Sequence, residues 1–298
     1  VPLVWSAAIP KTTEGDGKVQ AVAVQPNVDP YEDKFRKEAY DQQLASLMNL
    51  SKSAMTDETD LILWPETSLP GNYRENRFLN QFRAKAVYQF VDSHASLSLL
   101  TGLNTYVTYQ EPATPTARNN NGRYYDVFNA AVALDGSRGP VFYHKSKLVP
   151  GVERMPYPSV FGFLENLAIE MGGTSGSLGS QEEASVMQLE ERLIVAPVIC
   201  YESIFGDYVG DYVQKGANLI TIVTNDGWWG DTDGHRQHFT YSVLRAIEMR
   251  KSIARSANTG ISGFILPDGE VIQRTPYWEK AAIRETLPLN SEVTFYAR

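Results

Sequence analysis

Residues 193–206 read LIVAPVICYESIFG, an apolar run that ends at Cys200, the only cysteine of the chain. The short, β-branched run predicts a buried strand, and Tyr201 to Gln214 has the pattern of an amphipathic helix. Cys200 is therefore expected at a strand-to-helix turn, where backbone N–H groups and the helix dipole favour a thiolate nucleophile. The alternative is a cysteine that serves only as a small buried hydrophobic side chain.

A glutamate follows a second apolar run. Residues 61–70 read LILWPETSLP, in which Glu66 comes directly after a predicted strand and stands between prolines that fix a turn. A carboxylate held among apolar neighbours has a raised pKa and suits a general base. The alternative is an ordinary exposed glutamate in a turn.

Two lysines lie in a third predicted strand. Residues 141–150 read VFYHKSKLVP, and the strand is expected to run from Val141 to Lys147. The two-residue period of a strand places Lys145 and Lys147 on the same face, so spacing leaves open which one takes part in chemistry. A solvated strand face is the alternative for either lysine.

Together the three segments resemble the nitrilase, or carbon–nitrogen hydrolase, superfamily from about residue 18 to the end of the chain. The resemblance implies Glu66 as the base, Lys145 rather than Lys147 as the catalytic lysine, and Cys200 as the nucleophile. Further matches are Asn129 in VFNAA (residues 127–131) and the block TNDGWWG (residues 224–230). Alternating strands and helices predict an α/β fold, and the resemblance implies a four-layer α-β-β-α sandwich.

Within that superfamily the sequence motifs resemble those of the apolipoprotein N-acyltransferase branch. The matching segments are LVP (148–150) followed by Glu153, CYE (200–202), NDGWWG (225–230), RAIE (245–248) and RSANTG (255–260). Phe35 falls near an aromatic position of the branch. One departure is that residues 150–153 read PGVE where the family commonly reads PFGE.

This resemblance implies an acyl transfer through a thioester on Cys200, without a cofactor or a metal. The implied donor is a phospholipid, and the implied acceptor is the α-amine of the diacylglyceryl-cysteine of an apolipoprotein. Residues implied to bind substrate or to support or gate the catalytic groups are Glu153, Tyr201, Glu202, Asn225, Asp226 and Trp228. For Glu202 the alternative is a carboxylate that only stabilises a helix N-terminus.

Composition predicts one domain. Residues 1–17 resemble a linker from a missing membrane region, and residues 18–298 form a single catalytic domain able to bury a large core. No apolar run approaches the roughly twenty residues that span a bilayer. We therefore interpret the chain as an excised domain of an enzyme of the bacterial inner membrane, facing the periplasm. A net charge of −8 argues against nucleic-acid binding.

Several features leave alternatives open. The apolar residues 155–171 are expected to form either a membrane-facing lid or a core helix. His235 and His238 lack a third metal ligand at a recognisable spacing, so we expect them to lie at the surface or to cap a helix. The rival functions are a soluble amidase that uses the same Glu66, Lys145 and Cys200, and a catalytically idle binding module.

Overall fold

Two β-sheets lie face to face, and helices cover the outer side of each. The structure, a computed structural model, describes residues 16–31, 33–34, 36–154 and 177–298. Within these ranges the layers follow the order helix, sheet, sheet, helix. The predicted four-layer α-β-β-α sandwich is confirmed.

The strands of the described residues are, in chain order, β1 (Lys18–Gln25), β2 (Leu61–Arg74), β3 (Ser98–Tyr109), β4 (Arg118–Asn120), β5 (Arg123–Asp135), β6 (Val141–His144), β7 (Met187–Gln188), β8 (Ile194–Ile199), β9 (Leu219–Thr224), β10 (Ile253–Ala257), β11 (Gly263–Ile265), β12 (Val271–Arg274) and β13 (Ala281–Pro288). The first sheet has the order β13-β1-β2-β3-β5-β4, with β6 also paired to β5. The second has the order β12-β11-β10-β9-β8-β7.

Parallel pairing in the second sheet positions two of the predicted site segments. β8 and β9 are parallel neighbours, with Ile199 opposite Val223. Cys200 follows β8 and Asn225 follows β9. Because parallel neighbours end at the same sheet edge, these two segments lie side by side.

Four α-helices occur in the described part of the chain: α1 (Tyr40–Ala54), α2 (Phe82–Asp92), α3 (Gly206–Gln214) and α4 (Asp233–Met249). Helices α1 and α2 pack on the first sheet, and α3 and α4 pack on the second. Short 3₁₀ helices span Lys37–Ala39, Glu75–Asn80, Cys200–Ile204 and Asp226–Trp229. The last two of these carry the predicted nucleophile and the middle of the predicted NDGWWG block.

Alternate residues of β1 and β2 belong to different hydrophobic clusters. The inner set is Ala21, Ala23, Leu61 and Leu63, and the outer set is Val22, Val24, Ile62 and Trp64. The inner set packs with the second sheet, and the outer set packs with α1 and α2. Burial of both faces explains why these strands are continuous apolar runs in the sequence.

Some predicted elements differ from the structure. β13 was not predicted because its residues include charged side chains, yet it pairs antiparallel with β1 along its whole length. Phe82 is 79% exposed because it is the first residue of α2, whereas Val87 and Phe90 of the same helix are buried.

No helix within the described ranges is long and apolar enough to cross a membrane. The lid hypothesis for residues 155–171 and the aromatic match at Phe35 concern residues outside those ranges. So does most of the predicted linker, residues 1–15.

Candidate active site

Glu66 lies where β2 departs from regular pairing with β3. The register between the two strands shifts between Trp64 and Leu69, and Thr67 has a left-handed φ of 47°. Gly102 of β3 makes room for this irregularity, because a Cβ there would lie 2.5 Å from the Glu66 Cα. Glu66 is 6% exposed, so the alternative of an exposed turn glutamate is wrong.

Lys145 follows the last residue of β6 and is almost completely buried. Its backbone N–H donates to the Asn129 carbonyl of β5 at 2.9 Å, which fixes the position of the residue. Its Nζ donates to Glu66 Oε1 at 3.2 Å and to Glu153 Oε1 at 3.0 Å. A single ammonium group thus joins two carboxylates from different segments.

Lys147 does not share this environment. The strand ends at His144, so the two-residue alternation that was expected to place both lysines on one face does not apply. The Lys147 Nζ lies 4.6 Å from the centre of the Tyr208 ring instead. Geometry therefore places Lys145, and not Lys147, beside Glu66.

Asn129 completes the cluster around Lys145. Its Nδ2 donates to Glu66 Oε1 and to Glu153 Oε1, both at 2.7 Å. Glu153 also accepts the Val149 N–H at 2.8 Å through Oε2. The departure from the family pattern at residues 150–153 therefore still brings Glu153 into the cluster.

Electrostatics in this cluster oppose the expectation for Glu66. Burial raises the pKa of its carboxyl, but Lys145, Asn129 and Lys34 together hold that pKa below the ordinary value. The expected raised pKa is therefore wrong. Burial lowers the pKa of Lys145, but the Glu66 and Glu153 carboxylates raise it above its ordinary range. Glu66 rests as a carboxylate and Lys145 as an ammonium.

Cys200 begins the 3₁₀ helix that follows β8 and has a left-handed φ of 49°. Burial and the Glu66 carboxylate raise the pKa of its thiol to about 12, against the lowering by Lys145. The expectation that the helix start favours a thiolate is therefore wrong, because a turn of 3₁₀ helix does not offset burial beside a carboxylate. The sulfur rests as a thiol and needs a base.

Glu202 is fully buried behind Cys200. Its Oε1 accepts the Tyr143 hydroxyl at 2.6 Å and the Ser146 N–H at 2.7 Å, and its Oε2 accepts the Ile199 N–H at 2.8 Å. Burial raises the pKa of this carboxyl to about 7. Glu202 thus joins the end of β8 to the segment after β6. Its neighbour Tyr201 packs its ring edge-on to Phe205.

The segment after β9 divides between buried and exposed residues. Asp226 is fully buried and pairs with Arg255 at 2.7 Å and His238 at 2.7 Å. Burial raises the pKa of Asp226, but Arg255 and His238 hold it well below its ordinary value. The side-chain amide of Asn225 lies 3.0 Å from the Asn258 Nδ2. Trp228 is 41% exposed and meets the ring of Tyr31 edge-on.

Lys34 is a site residue that the sequence did not reveal. Its Nζ donates to the Glu66 carbonyl oxygen at 3.2 Å. Burial lowers the pKa of this amine to about 8, while Glu66 and Cys200 act to raise it. No local signal distinguishes this lysine, since only the fold brings the loop after β1 to β2.

Both histidines differ from their prediction. His235 is 1% exposed and its ring stacks on Tyr277, with the ring centres 3.8 Å apart. His238 is 6% exposed and touches Asp226 and the Cys200 backbone. They face inward because α4 lies with this side against the second sheet. Within the ranges described, no group of three or more histidine, cysteine, aspartate or glutamate side chains is placed to hold a metal ion.

Comparison with known families agrees with this geometry. A family model described as Carbon-nitrogen hydrolase matches residues 20–293. The chain belongs to the carbon–nitrogen hydrolase family. The match includes Glu66, Lys145 and Cys200, the three residues on which the resemblance rested.

Two relatives that match this chain in sequence share one name. The chain is 36% identical to the Apolipoprotein N-acyltransferase of Chlorobaculum tepidum, over 99% of this chain and 56% of that protein. It is 28% identical to the Apolipoprotein N-acyltransferase of Bdellovibrio bacteriovorus, over 95% of this chain and 51% of that protein. The chain thus spans about half the length of these relatives.

Solved structures of the family share the fold. An amidase from Nesterenkonia sp. matches with a TM-score of 0.57 at 16% identity, over 91% of this chain and 90% of that one. A CN-hydrolase superfamily protein from Xanthomonas campestris matches with a TM-score of 0.60 at 15% identity, over 91% of each chain. At such identities the likeness shows the fold alone.

Proposed function

We propose that this chain is the catalytic domain of an apolipoprotein N-acyltransferase. The observation that carries the proposal is the buried cluster of Glu66, Lys145, Glu153 and Asn129 near Cys200, in a chain whose relatives bear that name. Glu66, Lys145 and Cys200 form the proposed catalytic triad. The acyl donor is a phospholipid, and the acceptor is the diacylglyceryl-cysteine at the N-terminus of an apolipoprotein.

The first half of the reaction forms a thioester. Glu66 takes the proton of the Cys200 thiol as the sulfur attacks the ester carbonyl of the donor. The Lys145 ammonium stands beside the developing oxyanion. As the tetrahedral intermediate collapses, the ester C–O bond breaks and the leaving lysophospholipid oxygen takes the proton from Glu66.

The second half transfers the acyl group. The α-amine of the acceptor attacks the thioester carbonyl and gives a proton to Glu66. The C–S bond then breaks, and the proton returns to the sulfur of Cys200. The product is an amide, and each group regains its starting protonation state. One carboxylate serves both halves because it is ionised at the start of each, since Lys145 and Asn129 hold its pKa below the ordinary value against the effect of burial.

Glu153 has a supporting role in this proposal. It accepts hydrogen bonds from Lys145 and Asn129, which both also bind Glu66 Oε1. A second carboxylate keeps the ammonium charged and holds it in place when Glu66 becomes neutral. Glu202 holds the backbone before Cys200 through the Ile199 N–H. Asn225, Asp226, Tyr201 and Trp228 remain proposed supporting or substrate-binding residues.

The proposed setting is the periplasmic face of a bacterial inner membrane. The chain spans about half of its relatives' length. An acyl donor that is a membrane lipid requires the catalytic groups to lie near the bilayer surface. Segments outside this chain are proposed to supply the membrane attachment.

A transfer assay tests the function. The chain is mixed with phosphatidylethanolamine in detergent micelles and a synthetic diacylglyceryl-cysteine peptide, and acylated peptide is measured by mass spectrometry. Lys145→Met and Lys147→Met are a matched pair, because both remove one lysine from the same segment. We expect Lys145→Met to lower the rate about 100-fold or more, and Lys147→Met to leave it nearly unchanged.

Two results contradict the proposal. Equal loss in the two lysine variants would show that Lys145 has no special role. Hydrolysis of short amides through Cys200, without any acylated peptide, would assign the chain to the amidases instead.

A further inference from the structure

His238 of α4 touches the backbone of the proposed nucleophile. Its Nε2 lies 3.1 Å from the Cys200 carbonyl oxygen, and the Ser203 hydroxyl donates to the same oxygen at 2.7 Å. Nε2 also lies 2.9 Å from the Ser203 Oγ. A carbonyl oxygen only accepts, and Nδ1 also faces an acceptor, the Asp226 carboxylate, so the ring donates to both when the imidazole carries a proton on each nitrogen.

The Cys200 backbone needs such support. Its φ of 49° lies in the left-handed region, which side chains with a Cβ adopt only under constraint. This conformation turns the chain between β8 and the 3₁₀ helix and so determines where the sulfur points. The Ser203 hydroxyl and His238 Nε2, both at its carbonyl oxygen, hold this turn.

The Nδ1 side of the His238 imidazole is held by Asp226. His238 Nδ1 lies 2.7 Å from Asp226 Oδ1, which also accepts the Thr224 hydroxyl at 2.8 Å. Asp226 Oδ2 accepts from Arg255 at 2.7 Å. Asp226 and Arg255 are fully buried, so the ring has little freedom to rotate away.

We propose that His238 is a positioning residue for acyl transfer, which donates from Nε2 to the Cys200 carbonyl and is oriented by the buried Asp226–Arg255 pair. This inference rests on the proposed role of Cys200 as the acyl carrier. His238 does not touch the reacting atoms. It holds the left-handed turn that presents the thiol to Glu66 and to the substrate carbonyl.

Two conservative variants separate the two contacts of the ring. In His238→Gln the terminal amide nitrogen can reach the Nε2 position, so the donor to Cys200 is kept. In His238→Asn the amide nitrogen stands near the Nδ1 position, so the contact with Asp226 is kept and the donor to Cys200 is lost. We expect kcat for thioester formation to fall about 100-fold in the Asn variant with KM unchanged, and to stay within about tenfold in the Gln variant.

A lipid-free measurement distinguishes this inference from the proposed function. The rate at which iodoacetamide alkylates Cys200 is measured for each variant, with the folded state checked by circular dichroism and thermal melting. We expect this rate to fall in the Asn variant and to be largely kept in the Gln variant. His235→Gln, the same change at a buried histidine of the same helix, is expected to lower the melting temperature without slowing alkylation.

If His238→Asn does not fold, Ser203→Ala removes the second donor to the same carbonyl and is expected to slow alkylation about tenfold. Unchanged alkylation in Ser203→Ala, or equal rates in the Gln and Asn variants, would overturn the inference. Failure of the parent to form a thioester, together with slower alkylation in His238→Asn, would overturn the proposed function and leave the positioning role intact.

Discussion

Glu66 and Cys200 are coupled through charge. Burial and the Glu66 carboxylate raise the pKa of the Cys200 thiol to about 12, so the resting pair is a carboxylate and a thiol. Such a pair slows oxidation and alkylation of the sulfur. In the proposed reaction the proton moves from the sulfur to the carboxylate as the sulfur attacks the substrate carbonyl.

Neutralising Glu66 is therefore expected to make the Cys200 thiol easier to ionise while it removes the base that the proposed reaction needs. We expect Glu66→Gln to lower the pKa of the Cys200 thiol, because the negative charge that raises it is gone, while thioester formation falls about 100-fold or more. The ultraviolet absorbance of the thiolate, followed over pH, measures this. Glu153→Gln is the control and is expected to change the thiol pKa less. A thiol pKa that rises in Glu66→Gln would contradict the account.

Lys34 gives the site a pH dependence. Its amine has a pKa of about 8, and its charge stabilises both the Glu66 carboxylate and a developing charge on Cys200. As pH rises through about 8 this charge is lost, so we expect the rate of thioester formation to fall in that range. In Lys34→Met we expect no fall in rate near pH 8, and a rate at pH 6 that is lower than that of the parent. The rates of both proteins are measured from pH 6 to 10. The same fall near pH 8 in the parent and in Lys34→Met would contradict this role of Lys34.

For single residues, the sequence predicted which positions form the candidate site but not the protonation states of their side chains. The motifs around Glu66, Lys145 and Cys200 led to positions that the structure brings to one site. The protonation states were wrong because pKa values depend on partners such as Asn129 and Lys34, which are distant in sequence. His238 was expected at the surface or as a cap, because its spacing from His235 gives no signal of the Cys200 carbonyl oxygen that its ring contacts.

Among the elements, β2 depends on a glycine of its neighbour. A Cβ at Gly102 would lie 2.5 Å from the Glu66 Cα and 2.8 Å from the Pro65 carbonyl oxygen, and backbone atoms cannot give way cheaply. We expect Gly102→Ala to displace Glu66, to lower activity at least about tenfold and to destabilise the fold by about 1–3 kcal/mol. Thermal melting and the transfer assay measure both effects.

Gly122→Ala is the comparison for that prediction. Gly122 lies in the turn between β4 and β5, has open space around its Cβ position and has a φ of 81°. The Gly122→Ala variant is expected to lose some stability through backbone strain and to keep its activity. Full activity in Gly102→Ala would show that Glu66 does not depend on this contact.

The pair of Asp226 and Arg255 ties the segment after β9 to β10. Both side chains are fully buried, so removing one partner leaves an uncompensated charge. We expect Arg255→Met to lower the free energy of unfolding by about 3–5 kcal/mol at pH 7. Arg236→Met, which removes an exposed pair with Asp233, is expected to cost less than about 1 kcal/mol.

The Asp226–Arg255 pair is also expected to make the stability of the fold depend on pH in the acid range. The folded pKa of Asp226 lies well below its ordinary value, so its contribution is present above about pH 3.9 and is lost as pH falls further. The difference in melting temperature between the parent and Arg255→Met should therefore shrink in strong acid. An equal difference at pH 7 and pH 3 would contradict this assignment.

Hydrophobic pattern predicted the elements that are buried on both sides. The apolar runs of β1, β2, β8 and β9 were all predicted as strands, but only β1 and β9 have nearly the predicted bounds, because β2 continues beyond Trp64 to Arg74 and β8 begins only at Ile194. β13 was missed because it lies at the sheet edge with charged residues such as Arg284 and Glu285. The strand with Lys145 was predicted too long because the apolar pattern does not show where pairing with β5 ends.

In the whole molecule, two sheets supply different parts of one site. Glu66 and Lys145 come from the first sheet, and Cys200 and Asp226 come from the second. Periodicity predicted alternating strands and helices, but the four-layer arrangement followed only from the family resemblance. The hydrophobic faces between the sheets fix the relative position of Glu66 and Cys200.

Cys200 is proposed to carry a fatty acyl group taken from a phospholipid. The most direct test is the intact mass of the protein after incubation with phosphatidylethanolamine in detergent micelles, beside a Cys200→Ala control. We predict a gain of one fatty-acyl mass that hydroxylamine removes and that the control lacks. A gain that persists in Cys200→Ala, or no gain while iodoacetamide alkylates Cys200 in the same micelles, would contradict the account.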